Sequence, residues 1–515
     1  MNGAESLVQT LVQSGVSVCF ANPGTSEMHF VGGLDSNPGV RCVLCLFEGV
    51  ASGAADGYAR MTGTPAATLL HLGPGLANAG ANLHNAMRAA TPIVNIVGDH
   101  ATDHRHLDPP LAGDVEALAR VWSIWVRSSR DSQAVASDAA DAVRASLEGG
   151  GIATLILPAD TAWNTAHGAA APRPPVARPR VNSAHTRSIA ETLRRGEPTL
   201  LLIGGKAATD PDALDMADRI CQAAGAEMMA ARTLGRIERG AGRVLLERFP
   251  YSVDAGVART AHFKHCICVE TKPPVAFFAY PDKPGRILPD DCATHFLALP
   301  GDDAAPALGE LARELNAGTL APRHMPREHP AVPPSGPLTP AAIGESLALV
   351  MPDNTIVCDE SVSLGGPIVA ATRTAPPHSW LPLTGGSIGL GLPLSVGVAV
   401  ACPDRRVVAL QADGSGMYTV QALWTQARER LDVTTIVLSN RAYAILRQEF
   451  SNVGIGNPGP KALGMTSLGD PDIDWVALAA GMGVAGARAE SAEQFHALLG
   501  DAFARPGPYL IEAVL

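Results

Sequence analysis

This sequence predicts an α/β protein of three doubly wound parallel-sheet domains, on three observations. At 515 residues the chain has the length of about three ordinary domains, each able to bury its own core. Two proline-rich passages divide it, one running from Pro172 through Pro174 and Pro175 to Pro179, the other from Pro322 through Pro326, Pro330, Pro333 and Pro334 to Pro340. Such segments are poor in regular structure and behave as extended connectors. Outside them, short apolar runs alternate with helix-length stretches, most clearly in the first and last thirds, as in doubly wound domains. The boundaries drawn on this basis are 1–165, 182–318 and 338–515.

Composition narrows the partners. A net charge of −11 argues against nucleic acid or an anionic membrane, so an anionic substrate would need local positive groups. No apolar stretch reaches about 18 residues, and Met1 to Ser6 lacks the basic and apolar regions of a signal peptide. Nine scattered cysteines point to reduced thiols and a cytoplasmic location.

In chain order, the first informative element is the apolar run Val43-Leu44-Cys45-Leu46-Phe47, read as a buried strand that ends at Glu48. A carboxylate there is partly desolvated, which suits it to proton exchange near neutrality. It could equally stabilise the start of the next helix. That helix carries Gly49, Gly53 and Gly57 four apart, one nearly side-chain-free stripe. Each glycine costs about 1 kcal/mol in a helix interior, so close approach of another helix is expected, within the chain or between subunits. Cys42 and Cys45 lie three apart on an extended segment and face opposite sides, a poor geometry for zinc. His71, in Leu70-His71-Leu72-Gly73-Pro74-Gly75, can move a proton near neutral pH or simply bond backbone. His100, His104, Arg105 and His106 read as solvated loop residues, and His265, Cys266 and Cys268 as core. In the middle third, Leu200-Leu201-Leu202-Ile203-Gly204-Gly205-Lys206 resembles a strand and turn of a nucleotide-binding fold, but without G-x-G-x-x-G.

The last third holds the most informative pairing. Val407 to Gln411 reads as a strand, Gly416 to Arg430 as a helix and Val433 to Leu438 as a second strand. Such a crossover brings Asp413 and Asn440, 27 positions apart, to the carboxyl edge of one sheet, where open α/β sheets bind ligands. A carboxylate and a carboxamide there suit Mg²⁺, which takes oxygen ligands and commonly shares them with a phosphate. Ser415, at the head of the helix, offers a hydroxyl and backbone N–H groups to that phosphate.

Ala412-Asp413-Gly414-Ser415, the crossover, and Ser439-Asn440-Arg441-Ala442 resemble the diphosphate and magnesium motif of thiamine diphosphate (ThDP) enzymes, with Ala412 and Ser439 departing from the usual Gly-Asp-Gly and Asn-Asn. The resemblance implies metal ligation by Asp413, Asn440 and the Ala442 carbonyl, and diphosphate contacts from Gly414 and Ser415. It spans the chain as pyrimidine-binding, central and diphosphate-binding domains. Glu48 and the following Gly49 to Arg60 resemble the family's catalytic glutamate segment. Leu383 to Gly389 resembles the segment that grips the aminopyrimidine, which implies that the Gly386 carbonyl and the Ile388 side chain hold the cofactor. Asp359 to Ser363 resembles a diphosphate loop, with Ser363 as the contact. Asn22 to Glu27 resembles the active-site loop of benzoylformate decarboxylase, which places Thr25 against substrate, and His71 falls at that enzyme's active-site histidine. Phe278 stands where that enzyme has a second one.

The activity implied is ThDP- and Mg²⁺-dependent decarboxylation of a 2-oxo acid. Gly73-Pro74-Gly75 and the missing second histidine favour passing the resulting enamine to a carbonyl acceptor, as acetolactate synthases do. Simple decarboxylation is the alternative, and a catalytically silent ThDP-binding relative a further one. The family also implies a homodimer or homotetramer.

Overall fold

A computed structural model describes residues 1–515 apart from Pro175 and His329. The first sheet is built from β1 (Val18–Ala21), β2 (Arg41–Leu44), β3 (Ala66–Leu70), β4 (Ile93–Asp99), β5 (Trp125–Ser128) and β6 (Ile152–Pro158). Its strands are all parallel, in the order β2-β1-β3-β4-β6-β5. β3, β4 and β6 are buried along their whole length, as expected of strands covered by helices on both faces.

The middle of the chain contributes β7 (Thr199–Ile203), β8 (Glu227–Ala230), β9 (Ile237–Arg239), β10 (His265–Val269) and β11 (Ala293–Ala298). Four of these form a parallel sheet in the order β11-β10-β7-β8. The third sheet takes β12 (Ile356–Glu360), β13 (His378–Pro382), β14 (Val407–Ala412), β15 (Val433–Ser439), β16 (Ala485–Ala489) and β17 (Tyr509–Val514) in the order β16-β17-β15-β14-β12-β13-β9. Here the expectation of purely parallel sheets needs amending. β9, from the middle stretch of chain, pairs antiparallel with the β13 edge and exchanges pairs from Ile237↔Trp380 to Arg239↔His378. An open edge strand offers unpaired backbone groups, and β9 covers them.

The glycine stripe finds its partner inside the chain. The Glu48–Thr62 helix crosses the Gly391–Ala401 helix, where a Cβ on Gly53 would press on Pro393 and one on Gly57 on the Leu394 carbonyl. From the other side, a Cβ on Gly397 would strike the Ala54 carbonyl. Gly49 instead faces the Phe47 ring. One apolar core therefore runs without a break from Val50, Ala51 and Ala54 on one helix to Leu394, Val396 and Val398 on the other, joining the first and third sheets. Among the described residues no helix is long and apolar enough to cross a membrane. The cysteines are free thiols, with Cys42 exposed and Cys45 buried.

The crossover after β14 differs from one continuous helix. A single turn, Asp413–Gly416, is followed by a break and then Ala422–Arg428. In the break, the Thr419 hydroxyl donates to the Gly389 carbonyl at 2.9 Å.

Candidate active site

In open α/β sheets ligands bind where the strand order reverses between two parallel strands, beyond their carboxyl ends. In the first sheet that reversal lies between β1 and β3, so the Asn22 to Glu27 loop and His71 face each other. In the third it lies between β12 and β14, so Ser361 to Ser363 and Asp413 do.

At the first of these, Glu27 is the residue the sequence reading missed. Only 4% exposed, it accepts from His71 Nδ1 at 2.9 Å, from the Ser26 hydroxyl at 2.6 Å and from the Gly24 backbone at 2.9 Å. Gly98 of β4 makes room for it, since a Cβ there would overlap the Glu27 carboxylate. With Nδ1–H donating to a carboxylate, His71 keeps Nε2 as the nitrogen able to take or give a proton. Thr25 is exposed at the start of the Thr25–Glu27 turn, beside this pair. Glu48, 6% exposed, begins its helix and accepts from Asn78 Nδ2 at 3.0 Å. Asn78, Asn82 and Asn85 repeat at helical spacing on the Leu72–Arg88 helix, a polar stripe that could have been read from sequence.

At the second, the Asp413 carboxylate is 3% exposed and reaches the Asn440 segment, accepting from the Arg441 N–H at 2.6 Å and from Gly414 at 2.8 Å. Burial pushes its carboxyl above the usual aspartate range, while backbone donors from Gly414, Arg441 and Asn440 pull it back. Asn440 Oδ1 accepts from the Ala442 N–H at 3.0 Å, and Arg441 between them takes φ +56°. Gly414 lies under the Tyr443 ring with no room for a Cβ. The Ser415 hydroxyl is engaged internally, donating to Ala412 O at 3.1 Å and accepting from Gln411 Nε2 at 2.6 Å. Ser363 is exposed, next to Val362, whose φ of +50° is strained for a β-branched residue.

The two halves meet at Gly389. Its carbonyl accepts from Asn82, which also bonds Gly49 O beside Glu48, and from Thr419, six residues past Asp413. Its N–H donates to Glu360, a fully buried carboxylate that also takes the Leu390 and Gly391 N–H groups and Gln411. Burial pushes Glu360 up, and those bonds oppose it. The intervening segment is thereby clamped, with Gly386 exposed at φ +78° and Ile388 half-buried. Asn85 holds the same segment through the Ser387 carbonyl at 2.7 Å. From the middle of the chain, the Phe277 ring closes over Gly386, with Phe278 edge-on to it at 4.9 Å between centroids.

Comparison with known proteins shows the family. Residues 1–119 match the family model "Thiamine pyrophosphate enzyme, N-terminal TPP binding domain", and residues 367–513 match "Thiamine pyrophosphate enzyme, C-terminal TPP binding domain". The chain is 49% identical, over 100% of its length and 99% of the relative's, to the "Putative acetolactate synthase large subunit IlvX" of Mycobacterium tuberculosis. The chain belongs to the thiamine pyrophosphate enzyme family. The benzoylformate decarboxylase of Pseudomonas aeruginosa is 27% identical over 98% of this chain and 97% of its own. The ThDP-dependent 4-hydroxybenzoylformate decarboxylase of Rhodococcus jostii RHA1 superposes with a TM-score of 0.83 at 25% identity, covering 99% of this chain and 98% of the other.

The residues present fit such a coenzyme. Asp413 is a buried carboxylate whose hydrogen bonds come from backbone N–H groups rather than from a Lys or Arg side chain, an arrangement that a bound cation completes.

Proposed function

We propose that this protein binds ThDP and Mg²⁺ with residues at the carboxyl edges of its first and third sheets, Glu48 reaching the coenzyme held by a partner subunit, decarboxylates a 2-oxo acid, and transfers the decarboxylated fragment to a carbonyl acceptor. The observation that supports the reading is the Gly389 junction, whose carbonyl accepts from Asn82, bonded also to Gly49 O next to Glu48, and from Thr419, six residues past Asp413. Bound ThDP supplies the carbon nucleophile and the electron sink for loss of carbon dioxide. Asp413, the Asn440 side chain and the Ala442 carbonyl would hold Mg²⁺, with Gly414, Ser415 and Ser363 contributing at the diphosphate. The internally bonded Ser415 hydroxyl makes its backbone N–H the group available there.

Glu48 would exchange a proton with the aminopyrimidine, from a buried carboxylate steadied by Asn78. The Gly386 carbonyl and the Ile388 side chain would orient that ring. His71 Nε2 would move a proton at the substrate, held by Glu27, with Thr25 beside it. The Phe277 and Phe278 rings beside Gly386 give no proton, whereas protonation is what ends a simple decarboxylation. That favours transfer to a carbonyl acceptor, in a homodimer or homotetramer.

Incubating the ThDP- and Mg²⁺-loaded protein with a panel of 2-oxo acids, with and without aldehydes, and weighing the products tests this. Hydroxy ketones or 2-hydroxy-3-oxo acids are expected. Free aldehyde as the sole product would establish simple decarboxylation instead, and no turnover of any 2-oxo acid would refute both.

A further inference from the structure

The middle sheet has a strand-order reversal of its own, between β7 and β10, which places Gly204-Gly205-Lys206 opposite Glu270. By the same rule that locates the cleft above, this edge is where the middle sheet would take a ligand. A cavity of about 340 Å³ opens there, lined by Arg178, Lys206, Asp210, Glu270 and Asp303. It lies apart from the residues assigned to ThDP.

The most favourable position for an anion at this edge already holds one. The Glu270 carboxylate is 7% exposed and accepts from the backbone N–H groups of Lys206, of Ala207 at 3.3 Å and of Ala304 at 3.3 Å, the last at the start of the Ala304–Glu314 helix. Arg178 Nη1 stands 3.6 Å away. Backbone donors converging from two segments, with a guanidinium beside them, are what phosphate-binding sites of nucleotide domains offer. Gly205, at φ +52°, has no room for a Cβ against Glu270, so the turn is shaped around this carboxylate. Glu270 itself has φ +51°, a region that favours glycine, and it is held there by those bonds. Burial pushes its carboxyl up and the three backbone donors counter that. Asp210 and Asp303 add further negative charge to the wall that any phosphate would face.

We propose that the middle domain carries an anion cradle occupied in cis by Glu270, so that the native chain takes no nucleotide there and becomes a phosphate-binding domain only when that carboxylate is removed. The ligand class admitted on removal is a phosphate monoester or nucleoside diphosphate, anchored on the Lys206, Ala207 and Ala304 N–H groups with Arg178 and Lys206 as counter-charges. The middle domain thus keeps the geometry of a nucleotide site without its occupancy. The proposal does not depend on which 2-oxo acid the cleft accepts.

The test uses protein saturated with ThDP and Mg²⁺, so that the catalytic diphosphate position is filled, titrated with ADP and with inorganic phosphate by calorimetry. Glu270→Gly suits the local backbone, and Glu270→Ala provides a second opening should the first fail to fold. Either variant is expected to bind ADP at one site per chain, at least about tenfold more tightly than the parent, with turnover of 2-oxo acid unchanged. Adding Lys206→Ala is expected to weaken that new binding, while Glu270→Gln, which keeps the bulk in place, should bind as poorly as the parent. Saturable ADP binding by the parent at the same concentrations would overturn the proposal. So would folded, active Glu270→Gly and Glu270→Ala proteins that bind no better than the parent.

Discussion

Replacing Glu48 by Gln separates chemistry from folding. The side chain is 6% exposed and accepts a hydrogen bond from Asn78 Nδ2 at 3.0 Å. A glutamine carbonyl accepts the same bond, so the variant exchanges a charge-assisted hydrogen bond for a neutral one, a loss of about 1 kcal/mol. No cavity forms, and helix propensity is scarcely altered. What disappears is the group able to exchange a proton with the coenzyme. The expected loss of turnover is at least about a hundredfold, or roughly 2.7 kcal/mol of barrier. Initial-rate assay of 2-oxo acid consumption measures the loss of turnover, and urea unfolding the loss of stability. Calorimetric titration should show ThDP still binding. Turnover within a few-fold of the parent, with coenzyme bound, would refute the assignment of Glu48.

Asp413→Ala is expected to abolish Mg²⁺-dependent ThDP binding, and unchanged affinity by calorimetry would dispose of that metal site. Gly397→Ala places a methyl group inside the envelope of the Ala54 carbonyl and 2.7 Å from Tyr58 N, both backbone atoms that cannot swing aside. Overpacking of about 1–3 kcal/mol outweighs the gain of about 1 kcal/mol in helix propensity, so a lower urea midpoint and weaker ThDP binding are expected. His378 is buried on β13 with Nδ1 donating to Pro376 O at 2.7 Å, and burial, aided by Arg239, pushes its pKa down to about 3. Because the folded pKa lies below the unfolded value of about 6.5, its contribution is present above that pH and is lost as pH falls toward 3, by at most about 1.4 kcal/mol per unit. His378→Phe should therefore flatten the dependence of the urea midpoint between pH 6.5 and pH 4, and an unchanged slope would count against this role.

Legibility in the sequence followed the range of the interaction. The strands β14 and β15 announce themselves because a strand covered on both faces is mostly apolar. Asp413 and Asn440 could be paired because one crossover joins two adjacent strands, and its geometry is local. Glu27 was not singled out, since an acidic residue in a polar loop looks ordinary until β1 and β3 are set side by side and His71 arrives at 2.9 Å. Glu360 and Glu270 were missed for a related reason. Each ends or follows an apolar strand, whereas the run before Glu48 leaves the strand at Leu44. The main partners of each are backbone N–H groups from distant segments, which carry no side-chain signature.

The sequence by itself determined the α/β class, the alternation that makes the sheets, and the residue types gathered at each strand end, because burial pattern and crossover geometry are properties of short stretches of chain. Only the tertiary structure decided which helix the glycine stripe meets, that β9 closes a foreign sheet, and that the Gly389 carbonyl accepts from both Asn82 and Thr419. Those outcomes depend on which backbone groups a side chain or strand edge meets in space, and backbone groups are the same in every residue, so a donor such as Asn82 is legible in the sequence but the carbonyl it finds is not.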